Sequence, residues 1–228
     1  IGVDNFRITP EVNSLIKDKT INFFGGSFIF GWGLNDNETL PYFVQKYFKN
    51  SYVKNYGVNG YGVHQMLAQI EKNKKVIEDI NILVTFKYHV PRSSCRKDYS
   101  FGTPKYILKE TKILRKGFCN YGLGNIQVPR IIGSIFNRSQ IKILLEKLYY
   151  KKKTSFNEED VELYLSIIYE INKIIKKQNK LFFVGYIITE RNKIDDYILS
   201  RLNKNNIKVI DLSLDMKNSK YRLPDKHP

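Results

Sequence analysis

Cysteine, acidic side chains and long apolar runs are all scarce in this sequence, and each scarcity bounds what it can be. Two cysteines in 228 residues cannot build a disulfide framework, and the spacing of Cys95 and Cys119 fits no metal-binding motif. One disulfide between them and two free thiols both stay open. No cluster of histidine, cysteine and carboxylate offers a metal centre, so neither a metal nor another cofactor is expected. No apolar run approaches the roughly 18 to 20 residues of a membrane-spanning helix, which leaves this segment without an expected membrane span. There is no starting methionine and no signal-peptide pattern; the chain opens on the polar, turn-like IGVDNFRITP. It reads as a piece of a longer protein, truncated at both ends, with any targeting segment outside it.

Acids are outnumbered by lysine and arginine, 22 to 38, for a net charge of +16. Such a balance attracts anionic surfaces and polymers. The lysines at 72, 74, 75, 151 to 153, 173, 176, 177 and 180 fall mostly on the outer faces or ends of amphipathic helices, as a solvated basic face would have them. No zinc knuckle, recognition helix or RNA-binding platform accompanies the charge, so a nucleic-acid partner is not expected. With 42% hydrophobic residues over 228 positions, the chain suits one α/β domain spanning 1–228. The pattern sets no oligomeric state.

Short apolar, β-branched or aromatic runs alternate with helical periodicity. Strands are expected at 21–25, 52–56, 80–86, 181–187 and 207–212. Helices are expected at 37–50, where Leu40, Phe43, Val44, Tyr47 and Phe48 share a face, and at 63–79, with Val63, Met66, Leu67, Ile70 and Ile77 inward. Further helices are expected at 131–150, at 157–177 with Asn157 as cap and three acids in the first turn, and at 194–202. Between them, 104–118 reads as an inserted hairpin turning at Glu110 and Thr111 beside the site, either a substrate lid or a decorative excursion. The right-handed crossover rule then selects a flavodoxin-like three-layer α/β/α sandwich. Its sheet is five-stranded and parallel, in the order 2-1-3-4-5.

Chemistry gathers at strand exits, the edge where open α/β sheets bind ligands. The first strand ends in Gly25 and Gly26 and presents Ser27, a candidate nucleophile; a helix cap or phosphate-binding turn is the structural alternative. The second opens into GVNGYG at 57–62, which either aims backbone N–H groups at a ligand or is simply a tight βα connection. The third leaves through KYHVPR, bringing His89 and Arg92 to the same edge. After the fifth comes YRLPDKHP, with Asp225 and His227. A serine hydroxyl needs a base to take its proton and a carboxylate to orient that base, and Ser27, His227 and Asp225 supply the three roles.

On these residues the chain resembles an SGNH (GDSL-type) hydrolase, in its carbohydrate-esterase branches. FFGGSFIFGWG is similar to the first block of that family, with Ser27 as nucleophile and Gly26 where Asp is common. NYGVNGYG resembles the second, its oxyanion-hole glycine matching Gly60, and PDKHP resembles the fifth, giving Asp225 as orienter and His227 as base. At the third block, FKYHVPR puts His89 at or near the usual Asn, and Asp225 and His227 are separated by one residue instead of two. The resemblance implies an oxyanion hole of Ser27, Gly60 and His89; Arg92, from its place at the third strand exit, is a candidate substrate-binding residue. It also implies hydrolysis of a short acyl ester, most naturally O-acetyl, on a carbohydrate or small alcohol, in a bacterial cell-envelope or periplasmic setting. Two further functions fit the residues: O-acyl transfer to an envelope polysaccharide through the same triad, and non-catalytic binding of an anionic polymer.

Overall fold

The computed structural model describes residues 6–11, 18–96, 100–119 and 157–213. The helix expected at 131–150 and the tail carrying Asp225 and His227 lie outside the described residues.

Five parallel strands form the central sheet: β1 (Lys19–Gly25), β2 (Ser51–Gly57), β3 (Ile80–Thr85), β6 (Leu181–Tyr186) and β7 (Lys208–Asp211), in the order β2-β1-β3-β6-β7. Leaving out the separate antiparallel hairpin β4 (Pro104–Lys109) and β5 (Lys112–Phe118), this is the expected winding. The helices are α1 (Ser27–Phe30), α2 (Leu40–Tyr47), α3 (Val63–Lys72), α4 (Val90–Ser93), α5 (Glu158–Lys176) and α6 (Lys193–Lys204). Together they make a three-layer α/β/α sandwich.

Period-two alternation along β1 splits its aromatic pair between two cores. Phe24 joins Tyr56, Leu83 and the inward residues of α3, α5 and α6 on one face of the sheet. Phe23 joins Ile21, Val53, Ile82 and Ile29 of α1 on the other. On the first face α5 contributes Tyr164, Leu165, Ile168, Ile171 and Ile175, all without solvent contact. At roughly 2 kcal/mol per buried side chain, this one helix is a principal anchor of the layer. Asn157 caps it, accepting from Glu159 N at 3.2 Å.

Several boundaries differ from expectation for identifiable reasons. The helix expected at 37–50 is a 3-10 turn, Asp36–Glu38, followed by α2, because Thr39 is the residue that caps, its Oγ1 accepting from Tyr42 N at 3.4 Å. The helix expected at 63–79 stops at Lys72: the Asn73 side chain accepts from Lys75 N and draws the chain into a 3-10 turn, Lys74–Val76. On α2 the apolar face faces outward, with Tyr47 83% exposed. The helix is seated through Pro41 and Gln45, whose amide accepts from Val53 N at 2.8 Å and donates to Pro10 O at 2.6 Å.

Two links fix the sheet's carboxyl edge. Lys87 and Asp195 form a buried ion pair at 3.0 Å, with Tyr186 OH donating to Asp195 at 2.9 Å, which ties the exit of β3 to β6 and α6. Cys95 and Cys119 are joined in a disulfide, Cα atoms 5.3 Å apart, between the turn after α4 and the base of the hairpin. The hairpin turns at Glu110 (φ 56°) and docks by its buried Tyr106, which donates to Glu71 of α3 at 2.5 Å.

Candidate active site

The site grows from the exits of three neighbouring strands. In the registers of β1 with its two partners, Gly25 pairs with Gly57, and Phe24 with Leu83. The turns that follow therefore emerge side by side. Val58 N donates to Gly25 O at 3.0 Å, joining the first two turns directly.

Ser27 is the first residue of α1 and is 8% exposed. The first bonds back to the turn come from Ile29 N and Phe30 N, both to Gly26 O, at 3.2 and 3.0 Å. The N–H groups of Ser27 and Phe28 precede them, as at any helix start. The helix lies on β2 so closely that a Cβ on Gly57 would sit 2.3 Å from Phe30 N. Only glycine permits that approach. Asn55 braces the same contact, its amide donating to Ile29 O at 2.8 Å and accepting from Gly57 N at 2.9 Å. Beyond α1, Arg7 clamps the loop by donating to the carbonyls of Phe30, Gly31 and Leu34 at 2.6, 2.5 and 2.5 Å.

The second turn is closed by Tyr61 N donating to Val58 O at 3.2 Å. Gly60 occupies its third position at φ 80°, a conformation that favours glycine. In such a turn the N–H of the third residue is not used by the closing bond. Arg92 Nη1 holds the same segment, donating to Tyr61 O at 3.0 Å.

The third exit carries His89, fully buried. Its Nδ1 is 3.0 Å from Thr85 Oγ1, and Thr85 Oγ1 is 2.9 Å from Tyr164 OH. Its Nε2 is buried without a hydrogen-bond partner. A Cβ on Gly26 would stand 3.1 Å from that nitrogen and 3.0 Å from Tyr61 O, so the missing side chain at 26 makes room for the ring. Burial first, then the nearby Arg92 charge and His64, hold His89 well below its usual pKa. The ring is neutral near pH 7. His64 is similar: its Nε2 is 3.0 Å from Thr103 Oγ1, its Nδ1 lacks a partner, and burial and Arg92 lower it to about 4.

Ser27, Gly60, His89 and Arg92 thus come to one edge, and Asp225 and His227 lie outside the described residues. Asn55, Arg7, His64, Thr85 and Tyr164 were not singled out by sequence reasoning. For Thr85 and Asn55 a signal existed: each is a polar residue near the exit of a strand whose residues are otherwise mostly apolar or aromatic.

No protein-family model matches the chain, and no curated protein matches its sequence. Among solved structures it is similar to AlinE4, an SGNH-hydrolase family esterase, at 13% identity and a TM-score of 0.42 over 86% of this chain and 77% of that one. It is similar to a member of the lipolytic G-D-S-L family from Veillonella parvula, at 13% identity and a TM-score of 0.41 over 84% and 76%. It is also similar to an acetyl xylan esterase from the rumen bacterium Butyrivibrio proteoclasticus, at 13% identity and a TM-score of 0.47, covering 91% of this chain and 58% of that enzyme.

Proposed function

We propose that this chain is an ester hydrolase of the SGNH (GDSL) type that removes a short acyl group, O-acetyl in the first instance, from a carbohydrate or small alcohol. The observation that carries the reading is the meeting of three groups at one sheet edge. They are Ser27 at the head of α1, Gly60 in a glycine-specific turn, and His89 with an unpartnered buried Nε2 facing Gly26.

In this mechanism Ser27 Oγ attacks the acyl carbonyl and its proton passes to His227, which Asp225 orients. The tetrahedral oxyanion accepts from the backbone N–H groups of Ser27 and Gly60, with His89 Nε2–H as third donor. A neutral imidazole keeps one N–H for this purpose, and hydrogen bonds of this kind often tighten only when substrate binds. Removing one such donor lowers the rate by about 10²- to 10³-fold. Collapse expels the alcohol, protonated by His227, and water then attacks the acyl-serine through the same base. Arg92 fixes the Tyr61 carbonyl on the rim, from where its charge also reaches the substrate. Trp32 and Tyr88, each 46% exposed and close in sequence to Ser27 and His89, offer ring faces on which a sugar can stack.

The test is turnover of p-nitrophenyl acetate and of acetylated oligosaccharide. Ser27→Ala should lower it by about 10⁴-fold or more while the variant still unfolds cooperatively. Undiminished activity in Ser27→Ala removes the reading. Acetyl recovered on added oligosaccharide, with no free acetate, would reassign the acceptor from water to a sugar hydroxyl.

A further inference from the structure

We propose that Thr85 and Tyr164 are positioning residues that keep the His89 proton on Nε2, the nitrogen that faces the Gly26–Ser27 turn. The use of that proton in catalysis rests on the hydrolase reading; the tautomer itself does not.

The inference follows from counting protons along a buried chain. Tyr164 OH, Thr85 Oγ1 and His89 Nδ1 are linked at 2.9 and 3.0 Å, and all three residues are within 1% of complete burial. Tyrosine and threonine each carry one hydroxyl proton, and a neutral imidazole carries one N–H. Three orderings make both bonds, since a hydroxyl oxygen can accept twice. In the first, Tyr164 donates to Thr85, Thr85 donates to Nδ1, and the imidazole proton must sit on Nε2. In the second, Nδ1–H donates to Thr85 and Thr85 donates to Tyr164. In the third, Tyr164 and Nδ1–H both donate to Thr85 Oγ1.

The orderings differ in what they leave unmatched. The first leaves one group, Nε2–H, at the turn. The second leaves two: the Nε2 lone pair and the Tyr164 O–H, for which no other acceptor is found among the described residues. The third also leaves two, the Nε2 lone pair and the Thr85 O–H, which has no further acceptor among the described residues. Asp195, whose charge acts on Tyr164, is already engaged by Lys87, by Tyr186 OH and by Asn192 N. A buried polar group left unmatched is penalised enough to bias the equilibrium about tenfold or more. The first ordering therefore prevails. A phenol is also the more acidic hydroxyl and the better donor of the pair.

The consequence is a division of labour across the sheet. Tyr164 comes from α5, on one face, and reaches through Thr85 at the end of β3 to set the direction of a proton at the exit of β1. Where this chain has histidine in its third block, the donor is not fixed by covalent structure, as it is in an asparagine amide, and has to be fixed by neighbours.

Long-range ¹H–¹⁵N correlation spectra of the intact protein at pH 7 test this directly. His89 should show the pattern of a neutral Nε2–H imidazole. Thr85→Val, which keeps the shape and deletes the hydroxyl, should collapse that preference toward a mixture. It should also lower kcat on p-nitrophenyl acetate by about tenfold with KM unchanged, and Thr85→Ser should restore both. Tyr164→Phe should weaken the preference partially. An Nδ1–H pattern in the unaltered protein overturns the proposal, whatever the esterase activity. A kcat loss in Thr85→Val that Thr85→Ser does not rescue also overturns it, since that outcome assigns Thr85 to packing. The spectrum of the unaltered protein needs neither variant to fold and needs no turnover, so it fails or stands separately from the hydrolase reading.

Discussion

Acidification from pH 7 to pH 5 should destabilise this fold through its two buried histidines. In the unfolded chain each titrates near 6.5; in the fold, burial and the Arg92 charge lower His64 to about 4 and hold His89 well below its usual value. Below pH 6.5 the unfolded state therefore binds protons that the folded state refuses, and stability falls with pH. The contribution is complete above the unfolded value and levels off only below the folded one. Integrated between pH 7 and pH 5, His64 accounts for about 2 kcal/mol, and His89 adds to the loss in the same direction. That is a large part of the roughly 5 to 15 kcal/mol of an ordinary domain. Urea unfolding followed by circular dichroism at the two pH values measures the difference, in a window where most carboxylates stay ionised. His64→Gln, which cannot be protonated, should remove about 2 kcal/mol of the pH dependence whatever it does to the absolute stability. Equal stability at pH 7 and pH 5 would refute the account of two neutral imidazoles enclosed behind Gly26 and Gly62.

Two further perturbations probe how the site is held. Gly57→Ala drives a Cβ to within 2.3 Å of Phe30 N and 2.7 Å of Ile29 C. Because those are backbone atoms, α1 must lift from β2. The expected loss is about 2 to 3 kcal/mol, together with most of the ester turnover; wild-type values for both would show that α1 is not seated on β2. Reducing the Cys95–Cys119 disulfide frees a loop closed over a separation of 24 residues and should remove about 3 kcal/mol. An unchanged urea midpoint with and without dithiothreitol would contradict this.

The strand exits were the legible part of the molecule. Gly25–Gly26–Ser27 and GVNGYG announce tight turns because glycine is needed where a backbone passes close to another, and β1, β2 and β3 do emerge together. The winding was legible too, since alternation of strands and helices with one permitted crossover hand leaves few arrangements. Less of α2 could be read. Helical spacing says which residues share a face but not whether anything covers it, and here Phe43 and Tyr47 face outward because Gln45 does the seating, through bonds to an edge strand and to Pro10. The relay behind His89 was readable only at Thr85, a polar residue at a strand exit. Thr85 and Tyr164 are 79 positions apart, and nothing local says that their hydroxyls meet, which they do only when α5 packs on β3.

The central claim is that the Ser27 hydroxyl is an activated nucleophile, and labelling with a fluorophosphonate, located by peptide mass spectrometry, tests it most directly. The account predicts one modified residue, Ser27, with labelling slowed at least about 10³-fold in His227→Ala. Label on a different residue, or none on a folded protein, would contradict it.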